Sequence, residues 1–143
     1  MILKFKIPGA PQGKARARTV MNPRTGRVNS FTPENTVLYE NFIKASYLAQ
    51  CGSRIKFEKD EPIYIKILAG FPIPKSTSKK RTNQMLSGTI LPTKKPDADN
   101  ISKCILDALN NIAWHDDSQV VGLEVKKIYT SDPGVTVFVR GRE

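Results

Sequence analysis

The stretch Pro62 to Pro74, PIYIKILAGFPIP, constrains the fold more than any other part of the chain. Ile63, Ile65, Ile67, Ala69 and Phe71 recur at every second position, so an extended backbone sends all five to one face. Prolines bound the run, as they do where a strand must stop. A strand of this kind needs a cover on one side only and can meet water on the other. Leu3, Phe5 and Ile7 alternate in the same way with Lys4 and Lys6. Val121, Leu123 and Val125, then Val135, Val137 and Val139, repeat the pattern, and the turn residues Ser131 to Gly134 between them predict a hairpin with these side chains inward.

Helical signals separate the strands. Residues 32–52 offer Thr32 as N-cap, Pro33 at the first helical position, Leu38, Phe42, Ala45 and Ala49 as the buried stripe, and Gly52 as a stop. A short helix is expected over Lys79 to Leu86. A third over residues 100–112 would bury Ile101, Cys104, Ile105, Ala108, Leu109 and Ile112 and leave Asn100, Lys103 and Asp107 together on another face. The segment between Gly9 and Phe31 reads as a long loop with a hairpin at NPRTGR. Strand, helix, strand, helix, hairpin predicts an α+β fold: one domain over 1–143, with a mixed or antiparallel β-sheet and two main helices packed on one face. A chain of 143 residues buries roughly two thirds of its unfolded surface, enough for one core.

No apolar run is long enough to cross a bilayer, and the N-terminus alternates apolar and charged residues instead of forming a signal sequence. A cytoplasmic protein with no membrane partner is expected. Cys51 and Cys104 are far apart, with no CxxC spacing and no histidine cluster, so reduced, buried thiols are expected in place of a zinc site or disulfide.

The formal charge is +10, and it is unevenly spread. No acidic residue occurs before Glu34, and none lies between Glu61 and Asp97. The first tract holds Lys14, Arg16, Arg18, Arg24 and Arg27; the second holds Lys79, Lys80, Arg81, Lys94 and Lys95. Surfaces this positive attract a polyanion, and counterion release makes nucleic acid the expected partner. No amphipathic basic helix directs the charge to a membrane instead.

Against this background, five of the seven aspartates crowd into residues 94–121, KKPDADNISKCILDALNNIAWHDDSQVV. Taken singly, each has a bland account: Asp97 or Asp99 as a helix cap, Asp107 as the i+4 partner of Lys103, Asp116 and Asp117 as turn residues. Taken together, four aspartates flanking a short helix exceed what capping requires. Mg²⁺ or Mn²⁺ prefers hard oxygen ligands and leaves coordination positions for a substrate phosphate. With a phosphodiester substrate, such a site polarises the phosphoryl oxygen and activates water, and Lys103 can stabilise the developing charge.

The same residues carry a resemblance. KPDADNISKCILDALN, then Trp114 and DDSQV, resembles the RusA family of Holliday junction resolvases, with its P-D-x-D-N-x-x-K-x-x-x-D-A-L and D-D-x-Q-V signature. PQGKARAR, Pro11 to Arg18, is similar to the family's basic N-terminal segment, with Ala17 where many relatives have proline. The resemblance implies that Asp97, Asp99 and Asp117 are catalytic, metal-binding carboxylates and that Lys103 is the essential lysine. Asn100, Asp107 and Asp116 would be supporting residues. Lys14, Arg16 and Arg18 would touch DNA backbone. It further implies a homodimer that uses Mg²⁺, or Mn²⁺ in its place, to nick a four-way junction symmetrically, without a small-molecule cofactor. The alternatives are a junction or duplex binding module that no longer cuts, and a metal nuclease for flaps or forks. His115 and Trp114 are expected to be incidental and core, respectively.

Overall fold

The computed structural model describes residues 1–14, 18–31 and 33–142. Its elements are β1 (Ile2–Pro8), β2 (Arg18–Met21), β3 (Val28–Phe31), α1 (Glu34–Cys51), β4 (Ile63–Pro72), α2 (Lys79–Leu86), α3 (Ala98–Leu109), a 3-10 turn at Asp117–Gln119, β5 (Val120–Thr130) and β6 (Gly134–Arg140). The fold is α+β, with a four-stranded mixed sheet in the order β1-β6-β4-β5 and a separate β2-β3 ribbon. That ribbon closes through Asn22–Arg27, where the NPRTGR hairpin is expected. α1 begins at Glu34 with Pro33 in the N-cap position, one residue later than expected, and Thr32 itself lies outside the described residues.

β4 behaves as its alternation demands. Ile63, Ile65, Ile67, Ala69 and Phe71 are all buried, facing a core shared with Phe5 and Ile7 of β1 and Val135, Val137 and Val139 of β6. α3 completes this core with Ile101, Cys104, Ile105, Ala108 and Leu109; Ile112 lies beyond the helix and is half-buried.

The expected β5-β6 hairpin does not form. β5 pairs in parallel with β4, and β6 inserts antiparallel between β4 and β1. The two strands therefore flank β4, and Ser131–Pro133 crosses over its end. Thr130 to Gly134 is four Cα steps, reaching about 13 Å, which suffices for two strand spacings of roughly 5 Å each. The crossing is close: a Cβ on Gly70 would sit 2.6 Å from Thr130 Cγ2 and 3.0 Å from the Gly134 carbonyl oxygen. The parallel β4-β5 pair requires a crossover, and the α2-α3 segment supplies it.

Two faces also differ from the sequence pattern. On α1 the buried residues are Thr36, Tyr39, Ile43, Ser46 and Tyr47, whereas Leu38 and Phe42 are 59% and 44% exposed. Two stripes compete on this helix. The tyrosine stripe wins because Tyr47 packs edge-on against Phe5, with ring centroids 5.2 Å apart. On β5, Val121 and Leu123 face solvent and Val125 is only half-buried, since an edge strand with a register shift opposite Ile63/Tyr64 is free to turn its apolar side outward.

Candidate active site

The acidic window folds around α3. The chain reaches the helix through a cis Lys95–Pro96 peptide, and Asp97 occupies the N-cap position with extended backbone. Its carboxylate makes no capping hydrogen bond, so the bland reading of Asp97 as a cap does not use the side chain. Asp99 lies in the first turn, and both residues are exposed. Among the described residues neither carboxylate has a hydrogen-bond or ion-pair partner. The unsatisfied amides of a helix N-terminus favour negative charge there. Lys103 follows one turn on, exposed and also without an ion pair among the described residues. Asp107 comes one turn later on the same face.

Asp117 stands at the other end. Its Oδ1 accepts from Trp114 Nε1 at 2.8 Å, and its backbone N–H donates to Asn110 Oδ1 at 3.1 Å. Burial pushes its carboxyl above the usual range; the Trp114 bond opposes this, and the charges of Asp107 and Asp116 add to it. Trp114 is fully buried, so the core itself orients this carboxylate. Asp116 has a structural use: its Oδ2 accepts from Ser118 N at 2.9 Å in a capping box with Gln119. Those bonds to Ser118 hold the Asp116 carboxyl below its ordinary value.

The carboxylates thus form two groups. Asp99 and Asp107 are separated by eight residues of helix, about 12 Å of axial rise. Asp107, Asp116 and Asp117 interact electrostatically at the C-terminal end. Asp97 and Asp99 share the N-terminal end. Among the described residues, no group of three carboxylate, imidazole or thiol side chains is gathered closely enough to hold a metal ion. Asp97 and Asp99 stand at the N-terminal end of α3, and Asp117 is bonded to Asn110 just past its C-terminal end. Lys103 lies between the groups.

The basic segment meets this face directly. The Lys14 amide donates to the Asn100 carbonyl at 3.1 Å, and a Cβ at Gly13 would lie 2.9 Å from Pro96 Cβ and 3.0 Å from Asn100 Cβ. Only a residue without a side chain lets the loop settle this closely on the first turn of α3. Lys14 turns its ammonium onto Asp107 and Glu40. Its pKa is raised: burial works against the charged form, but the Asp107 and Glu40 carboxylates outweigh it. Arg16 and the Arg18 side chain lie outside the described residues. Arg24 and Arg27 are exposed on the β2-β3 turn, Lys79, Lys80 and Arg81 are exposed on α2, and Lys94 and Lys95 are exposed just before Pro96. Among the described residues His115 enters the site only through its backbone N–H, which donates to Gln119 Oε1 at 2.9 Å.

An open groove of about 510 Å³ lies elsewhere, on the outer sheet face, lined by residues that include Tyr64, Leu123, Phe138 and Arg140. Its location gives it no part in the aspartate chemistry. The Cys104 thiol is buried and pushed up to about 12, chiefly by that burial, and Cys51 is also unpaired. Among the described residues no helix is long and apolar enough to cross a membrane.

A family model described as Endodeoxyribonuclease RusA matches residues 8–140. The chain belongs to the RusA family. It is also 34% identical over 140 residues to the uncharacterized protein YqaN of Bacillus subtilis (strain 168), an alignment covering 96% of this chain and 95% of that protein. In this RusA-family chain the match takes in the loop at Gly13 and Lys14 as well as both ends of α3.

Three residues of the site were not singled out by the sequence. Gln119 is 7% exposed and binds four main-chain groups; its spacing of three from Asp116 was a capping-box signal. Asn110 receives the Asp117 amide. Glu40 joins from α1, and nothing local to its sequence announces a partner in the loop 26 residues away.

Proposed function

We propose that this protein is a metal-dependent endodeoxyribonuclease that resolves four-way (Holliday) DNA junctions by paired, symmetric phosphodiester nicks, acting as a homodimer on branched DNA. The observation that carries the reading is the seating of the basic loop, at Gly13 and Lys14, against the helix turn that bears Asp97 and Asp99, within a chain of the RusA family. The exposed aspartates and the exposed Lys94, Lys95 and Lys103 then share one surface beside that loop. That is the arrangement phosphodiester cleavage needs.

The donor set suits Mg²⁺ or Mn²⁺. Asp97 and Asp99 are hard oxygen ligands, exposed and uncommitted to caps or ion pairs among the described residues. Asp97 and Asp99 would hold the ion, and Asp117 would be drawn in as the third carboxylate when the metal binds. When bound, it would polarise the scissile phosphoryl group and lower the pKa of the attacking water. Lys103 projects from the middle of the same helix face and would stabilise the negative charge that develops on the phosphoryl oxygens. Trp114 keeps the Asp117 carboxylate oriented through its Nε1 bond. Lys94, Lys95 and the exposed basic residues of α2 and the β2-β3 turn would hold the flanking phosphates. A two-fold dimer suits a junction, because each copy meets one of two equivalent strands.

The test is a gel assay with a synthetic four-way junction, a linear duplex and a flap, each with Mg²⁺, Mn²⁺ or EDTA. Asp97→Asn and Asp99→Asn should abolish symmetric nicking of the junction while leaving binding intact or tighter, since each removes negative charge. Lys103→Ala should suppress cleavage with binding retained. Normal cutting by either aspartate variant would remove the site assignment; cutting of flaps in preference to junctions would change the substrate.

A further inference from the structure

Lys14 belongs to the basic run, yet its ammonium is held inside the protein's own network. Nζ lies 2.8 Å from Asp107 Oδ2 on α3 and 3.4 Å from Glu40 Oε2 on α1. Its backbone amide is bonded to the Asn100 carbonyl, so the lysine stem runs alongside the middle of α3. The three side chains are only 22%, 35% and 15% exposed for Lys14, Asp107 and Glu40. An ammonium shared by two half-buried carboxylates is locally neutralised. Handing it to a DNA phosphate would leave both carboxylates unpaired, which is costly where water is partly excluded.

The same contact bears on Lys103. Asp107 is its i+4 neighbour, the position from which a carboxylate ordinarily pairs with a lysine on a helix surface. Here Asp107 is bonded to Lys14 instead, and Lys103 has no ion pair among the described residues. One residue thus ties a loop to two helices and occupies the carboxylate that would otherwise neutralise the lysine facing the substrate.

We propose that Lys14 is a positioning residue: it straps the basic loop to α3 and keeps Asp107 away from Lys103, and it does not itself hold DNA phosphate. The inference rests on the nuclease reading of the α3 face. It is tested with Lys14→Gln, Arg16→Gln and the double variant Lys14→Gln/Asp107→Asn. Cleavage rates are measured with saturating four-way junction and Mg²⁺, and junction affinity is measured in EDTA at several salt concentrations. Lys14→Gln should cut about tenfold more slowly, as expected when a charge-assisted contact is lost, with an unchanged salt slope. Arg16→Gln should instead flatten the slope by about one unit, the signature of one lost phosphate contact. The double variant should recover most of the rate, because no carboxylate remains to capture Lys103.

A flattened slope in Lys14→Gln, or a double variant no faster than the single one, would overturn the proposal. Amide hydrogen exchange supplies a readout independent of activity. Protection at the position-14 amide should fall about tenfold in Lys14→Gln while the core amides of α3 keep theirs, showing that the fold persists. Unchanged protection at position 14 would refute the strap. If the unaltered protein cuts no branched DNA, the nuclease reading fails, and the exchange measurement still decides the strap.

Discussion

Gln119→Ala should be among the most damaging single changes in the protein, although residue 119 touches no substrate. The Gln119 Oε1 accepts from the amides of His115 and Asp116 at 2.9 and 3.0 Å, and Nε2 donates to the carbonyls of Glu58 and Glu61 at 2.7 and 3.1 Å. One amide therefore bolts the turn that carries Asp117 to the loop preceding β4. A hydrogen bond of this kind contributes about 1 kcal/mol net, and a buried group left unsatisfied costs about 1–3 kcal/mol. Four bonds vanish together, and water can re-satisfy some of the partners because Asp116 and Glu58 are exposed. The expected loss is about 3–4 kcal/mol, a large share of the roughly 5–15 kcal/mol that holds a domain folded. For a chain of this size that is a fall in Tm of about 10–15 °C. Urea unfolding followed by circular dichroism measures it, with an unchanged m-value showing that the folded and unfolded ensembles are otherwise alike. Gln119→Glu, which keeps the acceptor but sets a carboxylate oxygen against two carbonyls, should lose a comparable amount. A loss under about 1 kcal/mol in Gln119→Ala would refute the bolt, since a single net hydrogen bond is worth that much.

Other expectations follow from the same contacts. Trp114→Phe should reduce junction cleavage about tenfold at unchanged affinity, because it removes a charge-assisted bond to Asp117 worth about 1.5–3 kcal/mol; equal rates would show that Asp117 is oriented by something else. Gly70→Ala should cost about 1–3 kcal/mol in thermal unfolding, since its new methyl would meet Thr130 and the Gly134 backbone. Glu61 has its carboxyl lowered by the amides of Glu58 and Arg142, so its folded pKa lies below its unfolded one. Its stabilisation is present above the ordinary glutamate value and is lost as pH falls through the folded value. Glu61→Gln should therefore reduce the acid-induced loss of stability, and superimposable pH profiles would contradict this.

Much of the fold was legible because burial dictates period. The five-residue alternation of β4 and the apolar stripe of α3 appear in the structure where the sequence puts them. The stripe of α1 was misread because Tyr39 and Tyr47 are amphipathic and do not count as apolar in a pattern, yet their rings fill the core better than Leu38 and Phe42. The last two strands were misread because turn residues between alternating runs specify a reversal and not which strands become neighbours. At the candidate site, the placing of Asp99, Lys103 and Asp107 along one helix follows from their spacing. The engagement of Lys14 does not, since it depends on Glu40 and Asp107 arriving from two separate helices.

The placing of β6 between β1 and β4 also sets an order of events for folding. Among the described residues β1 pairs only with β6, joining residues 2–8 to residues 134–140, and β4 pairs only with β5 and β6. No two strands of the main sheet can dock until the segment from residue 120 onward has been synthesised. Such distant pairings must overcome loop-closure entropy before they return any contact energy, so folding in milliseconds to seconds is expected, slower than for helical proteins of similar size. Until β6 arrives, the alternating apolar edges of β1 and β4 stand open together, and it is the last strand of the sheet that joins them.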